Sequence, residues 1–259
     1  MRTQHVRPSP VFLGLLAATV LGGALAVLEN EFAYTTGVVL IVIGGWAVSL
    51  CLHEFGHAIV AYKGGDWSVR SKGYLNLDIR RYTDPVFSIL LPILFVLIGG
   101  IPLPGGAVWI NHHALRTKRV ESLVSLAGPF SNLALGLLLA VSVNVFFDGP
   151  STSSFVVDPL PAALSYLALL QIMAFVLNIL PVPGLDGWGA IEPWLSYKAQ
   201  AFGAKARPWA PLILFAVLIG LKPVGQAFFS LISSVFNAIG GSSNAAAWGD
   251  FIFRFWERF

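Results

Sequence analysis

Charge is scarce in this chain: Asp, Glu, Lys and Arg make up 11% of its 259 residues, whereas a soluble domain carries about 25%. That scarcity excludes an ordinary soluble globular domain. Cysteine is scarcer still. Cys51 stands alone, so an internal disulfide and a zinc site built from several thiolates are both excluded. Cys51 precedes His53 by two positions and reads as a small buried apolar residue rather than a ligand. The net charge is only +3, with no basic face or stripe, and no nucleic-acid partner is expected. Internal repeats, a frequent feature of transporters, are also missing.

What the sequence has instead is apolar residues, at 56%. They fall in runs at 11–28, 34–62, 85–103, 122–147, 161–182, 209–221 and 224–240. A run of about 20 such residues is long enough to cross the hydrocarbon core as a helix. The expected fold is therefore an all-α polytopic membrane protein, a single integral membrane domain over 1–259 with about six transmembrane helices. Arg2 and Arg7 precede the first run. That run is longer than the apolar stretch of a signal peptide, and no small-residue cleavage site follows, so it is expected to stay as a first membrane helix.

The loops differ in charge. Lys63, Arg70, Lys72, Arg80 and Arg81 lie in 63–84, Arg116, Lys118 and Arg119 in 111–121, and Lys198, Lys205 and Arg207 in 190–208. Glu29 and Glu31 lie in 29–33, and Asp148 and Asp158 in 148–160, without a base. The positive-inside rule puts the first three loops and the N-terminus on the cytoplasmic side of a multi-pass protein of the cell membrane. The run 85–103 then begins and ends beside cytoplasmic loops. Gly99-Gly100-Ile101-Pro102-Leu103-Pro104-Gly105-Gly106 cannot continue a helix comfortably. A re-entrant, extended glycine-rich element is expected here, lining an internal cleft, with a true span over 85–103 as the alternative. At the other end, 241–259 places Trp248, Phe251, Ile252, Phe255, Trp256 and Phe259 on one helical face. An amphipathic helix at the membrane interface is expected, with packing on the protein's own helices as the alternative.

His53-Glu54-Phe55-Gly56-His57 lies near the cytoplasmic end of the second run. Positions i and i+4 share a helical face, so both imidazoles can reach one zinc ion. Glu54 is placed to act on the water that zinc activates. Ionisable groups at membrane depth are expensive, and three at metal-ligand spacing are hard to explain as packing. Two histidines leave zinc one protein ligand short. Asp186 is the best candidate, because the loop after 161–182 is broken by Pro181 and Pro183 and lies on the same side as His57.

Taken together, His53-Glu54-x-x-His57 and Asn178-x-x-Pro181-x-Pro183-x-x-Asp186-Gly187 resemble the site-2 protease family of intramembrane zinc metalloproteases. Ala127-Gly128-Pro129-Phe130-Ser131-Asn132 resembles its Gly-Pro-x-x-Asn element, and Pro104-Gly105-Gly106-Ala107-Val108 its glycine-rich edge. The matches fall in a catalytic core over 34–190. The resemblance implies one Zn2+ per chain held by His53, His57 and Asp186, with Glu54 as general base and acid. It implies that zinc-activated water attacks a peptide bond in or near a transmembrane segment of a membrane-anchored protein substrate in the lipid bilayer. Asn132, Asn178, Gly105 and Gly106 are implied to hold the substrate backbone or the developing oxyanion, with interhelical hydrogen bonding the alternative for the two asparagines. Trp188-Gly189 departs from the Gly-Arg that many relatives carry after Asp-Gly. The alternatives are a non-proteolytic zinc-binding membrane protein or a transporter.

Overall fold

The computed structural model describes residues 8–82, 109–147 and 158–258. Among them there is no β-strand. The long helices are α1 (Pro10–Ala26), α2 (Glu31–Gly64), α3 (Lys118–Phe146) and α4 (Pro159–Asn178). They are followed by the short α5 (Asp186–Ile191) and then α6 (Tyr197–Ala206), α7 (Ala210–Gly220), α8 (Lys222–Ala238) and α9 (Ser243–Phe253). Among the described residues, three helices, α2, α3 and α4, are long and apolar enough to cross a membrane alone, and up to five spans result if each of the bent pairs α6–α7 and α8–α9 is one. The run 85–103, with Pro104, Gly105 and Gly106, lies outside the described residues. Trp109 and Ile110, which follow it, are irregular.

Helix starts follow local chemistry. Ser9, Asn30 and Thr117 cap α1, α2 and α3, accepting from the amides of Phe12, Ala33 and Val120 at 3.1, 3.0 and 3.2 Å. Each side-chain cap is worth about 1 kcal/mol because it satisfies an otherwise orphaned amide. The runs 209–221 and 224–240 form two helices that meet at Leu221. At 1.5 Å per residue α7 is only about 17 Å long, too short for a hydrocarbon core of about 30 Å. Phe215 and Leu218 of α7 share one core cluster with Phe228, Ile232 and Phe236 of α8.

Small residues let the helix backbones approach, as expected where lipid removes most of the hydrophobic drive between helices. A Cβ on Gly37 of α2 would meet the Gly22 carbonyl of α1 at 2.6 Å, and one on Gly56 would meet the Ala127 carbonyl of α3 at 2.9 Å. Helix α4 is the central element: 78% of its apolar window is buried, against 33% for α3. The C-terminal helix α9 turns back on it after a 116° bend. Gly249 sits against the Ala162 carbonyl, and the rings of Phe253 and Tyr166 lie 5.9 Å apart. Ile252 of the apolar face is buried in the core together with its neighbour Phe253, which lies off that face, while Phe251 and Phe255 remain exposed.

The basic loops gather at one end of this bundle. Asp66 accepts from the Asn111 amide at 2.7 Å, and the Arg116 amide donates to the Gly64 carbonyl at 3.1 Å. Lys72 donates to the Trp109 carbonyl at 3.0 Å and lies over the Trp109 ring. Ser122 accepts from the Trp194 indole at 2.8 Å and donates to the Ala190 carbonyl at 2.6 Å. The loops after α2, before α3 and after α5 are thus one connected surface. The acidic start of α2 lies elsewhere, where Glu31 pairs with Arg258 at 3.2 Å.

Candidate metal centre

His53, Glu54 and His57 are all buried on α2. His57 lies about 9 Å along the axis from Lys63 at 1.5 Å per residue, within the apolar length of the helix rather than at its tip. Asp186 reaches them from a different part of the chain. After Asn178 the backbone turns through Pro181, Val182, Pro183 and Gly184, with Leu185 N–H on the Val182 carbonyl at 2.9 Å. Gly184 has φ +99°, a conformation that a side chain disfavours. Asp186 then opens α5. Gly187 sits directly against the Ile179 carbonyl, so the Asp-Gly pair allows α5 to fold back on the end of α4.

The ligand atoms converge. His53 Nε2 and His57 Nε2 are 3.1 Å apart. The Asp186 carboxylate places one oxygen 3.2 Å from His53 Nε2 and the other 3.4 Å from His57 Nε2. Tetrahedral zinc with bonds of about 2.0–2.1 Å holds its ligand atoms about 3.3–3.4 Å apart, and the observed spacing fits that shape. Hydrogen bonds on the far side of each ring make the case stronger. His53 Nδ1 donates to Asn132 Oδ1 at 2.6 Å, and His57 Nδ1 donates to the Val124 carbonyl at 2.7 Å. Each ring therefore turns an Nε2 lone pair inward, the arrangement of metal-ligating histidines. An imidazolium–carboxylate pair would account for one histidine beside Asp186. Two Nε2 atoms facing each other at 3.1 Å beside that carboxylate form a three-atom donor set that could hold a metal ion.

Helix α3 closes the site from above. A Cβ on Gly128 would meet His53 Nε2 at 2.6 Å and would overlap His57 Nε2. Only glycine leaves the space a metal needs. The adjacent Pro129 lies inside the helix and supplies no N–H to the preceding turn, the same turn whose Val124 carbonyl holds His57.

Of the residues singled out from sequence, His53, His57 and Asp186 come together, and among the described residues they are the one group of His, Cys, Asp or Glu side chains that could hold a metal ion. Glu54 is buried next to His53. Asn132 faces the site, but its carboxamide bonds His53 on one side and Gln171 of α4 on the other, at 3.1 Å. Asn178 is buried as the last residue of α4. Cys51 is buried and free, apart from the metal-ligand group. Gly105 and Gly106 lie outside the described residues. Trp188, the departure after Asp-Gly, lays its ring on Gly203 of α6. Gln171 and the steric part of Gly128 were not foreseen. The only sequence signal for Gln171 was an amide inside an otherwise apolar run.

Fold and site together define a class: an all-helical protein with membrane-length helices and a buried His-His-Asp cluster suited to zinc. Two relatives named "Putative zinc metalloprotease Rip2" match nearly the whole chain. The one from Mycobacterium tuberculosis is 46% identical over 98% of this chain and 96% of its own length. The one from Mycolicibacterium smegmatis is 44% identical over the same shares. The similarly named YwhC of Bacillus subtilis is 32% identical over 69% of this chain and 79% of its own length. The chain belongs to the family of these zinc metalloproteases. No family model matches it, and no solved structure matches it.

Proposed function

We propose that this chain is an intramembrane zinc metalloprotease of the site-2 protease type, hydrolysing peptide bonds in or near membrane-spanning segments of membrane-anchored proteins. The observation that carries the reading is the convergence of Asp186, at the start of α5, with His53 and His57 of the membrane-length helix α2, which also carries the buried Glu54. The names of the relatives supply the metalloprotease class. One zinc per chain matches one three-ligand cluster, in a multi-pass protein of the cell membrane. The basic loops at the Asp186 end favour an active site near the cytoplasmic side.

Zinc held by these three residues would supply Lewis acidity and bring the pKa of a water toward neutrality. The chain's own residues do the rest. Glu54 takes a proton from the water as its oxygen bonds to the scissile carbonyl carbon. It then delivers that proton to the amide nitrogen as the C–N bond breaks, and the water's second proton passes from the new carboxyl group to the amine, leaving a carboxylate and an ammonium. The apolar walls of α2, α3 and α4 limit bulk water at the reacting atoms. Asn178 and the glycines at 105 and 106 are the groups proposed to hold substrate backbone.

The test is a membrane-anchored peptide incubated with purified chain in proteoliposomes, alongside Glu54→Gln. The variant should keep its zinc and lose cleavage by about 10²–10⁴-fold, the worth of a general acid–base. Turnover near wild type in Glu54→Gln defeats the mechanism.

A further inference from the structure

Gln171 sits mid-way along the most enclosed helix, α4, and is 1% exposed. Leu170 and Ile172 on either side are apolar and buried. Its carboxamide oxygen accepts from Asn132 Nδ2 at 3.1 Å, and Asn132 Oδ1 in turn accepts from His53 Nδ1 at 2.6 Å. Its own Nε2 is buried and has no hydrogen-bond partner among the described residues. Half of this amide is therefore left unsatisfied in an apolar interior, an arrangement that disfavours glutamine relative to an apolar residue of the same length. Packing alone does not explain an amide here. Its oxygen does.

A carboxamide offers an acceptor on one side and a donor on the other, and the two exchange on a flip. With Asn132 Oδ1 toward the ring, His53 must carry its proton on Nδ1, which leaves Nε2 free to ligate. With Nδ2 toward the ring, Nδ1 must accept. The proton then moves to Nε2, into the space shared with His57 and Asp186. As the Gln171 amide sits, with its oxygen opposite Asn132 Nδ2, it pairs with the first orientation and not with the second. We propose that Gln171 is a positioning residue for the metal site: through Asn132 it holds the His53 imidazole in the tautomer that presents Nε2 to the metal. The proposal rests on the zinc reading above and extends it from the ligands to a third helix. Helix α2 supplies the ligand, α3 the first link, and α4 the end of the relay.

The test uses the full chain in detergent micelles, with three readouts besides cleavage. These are zinc affinity by competition with a chelator, the visible spectrum of the cobalt-substituted protein, and thermal unfolding of the metal-free protein. Gln171→Met keeps length and removes the acceptor. It should weaken zinc binding about tenfold, the low end of the roughly 10–100-fold cost of losing an outer partner of a ligand, and alter the cobalt spectrum. Gln171→Glu keeps an acceptor in either protonation state and should restore affinity to within about threefold of wild type. In an Asn132→Ala background, Gln171→Met should add almost nothing, because the link is already cut. Gln171→Leu is the second acceptor-free variant should Gln171→Met fail to fold. Wild-type zinc affinity in a folded acceptor-free variant overturns the relay, and so does an equal loss with and without Asn132. A lowered unfolding temperature with unchanged zinc affinity reduces Gln171 to interhelical packing and also overturns it. A wild-type chain that binds no zinc defeats the zinc reading itself, a result separable from all of these.

Discussion

Gly128 of α3 lies over His53 Nε2 so closely that a Cβ on it would stand 2.6 Å from that nitrogen. The smallest residue in the chain is thus part of the metal site without offering it a ligand. Gly128→Ala should reduce zinc affinity by at least the roughly 10–100-fold typical of an outer-shell change. Helical content should change little, since alanine is a better helix former than glycine. Zinc content against circular dichroism decides the matter: full zinc in the alanine variant would mean that the helices part easily and the glycine is not a steric requirement.

Asp186→Ala should lose both zinc and cleavage, because it removes the third ligand that the turn after α4 delivers. Asp158 is the control. It is exposed, directly ahead of the first residue of α4, and makes no side-chain cap. Asp158→Ala should leave zinc and activity within about twofold of wild type, in line with the small effects usual for surface substitutions. Metal analysis and cleavage on the two purified variants give the comparison. Dependence of zinc on Asp158 would reverse the ligand assignment.

The bonds from Asp66 to Asn111 and from Gly64 to Arg116 tie the end of α2 to the stretch just before α3. A cysteine at Ser71 and another at Thr117, each in a Cys51→Ser background, should therefore react with an impermeant thiol reagent from the same face of a sealed vesicle. Labelling from opposite faces would contradict the joined loops.

Asp66 also gives a pH dependence. Burial raises its pKa, but the Ser68 hydroxyl and the amides of Asn111 and Ser68 outweigh burial and hold the carboxyl below its ordinary value. A carboxyl depressed in the folded state stabilises at pH above its unfolded pKa of about 3.9, and that contribution is lost as pH falls through the lower folded value. Asp66→Asn should therefore lower the unfolding temperature at pH 7 and have a smaller effect near pH 3. Equal effects at both pH values would show that the charge is not what ties the loops.

Much of this was legible in the sequence because its causes are local. The apolar run 34–62 became α2, and the spacing of His53 and His57 fixed their common face. Pro181 and Pro183 announced a turn that returns Asp186 to the bundle. Charge asymmetry alone grouped 63–84 with 111–121. Helix crossings were another matter. The periodicity of 241–259 gives a face but not its partner, and it is Gly249 against Ala162 that docks α9 on α4. Gln171 belongs to no spacing pattern. Its meaning depends on Asn132 facing it from a neighbouring helix.

The stem formed by Asp66, Gly64, Asn111 and Arg116 has a consequence for how this chain tolerates change. The end of α2 is bonded directly to the residues just before α3, so the two helices are held to each other by these bonds as well as by their packing. A substitution that breaks either bond therefore loosens the brace between the helix that carries His53 and His57 and the helix that carries Val124 and Asn132.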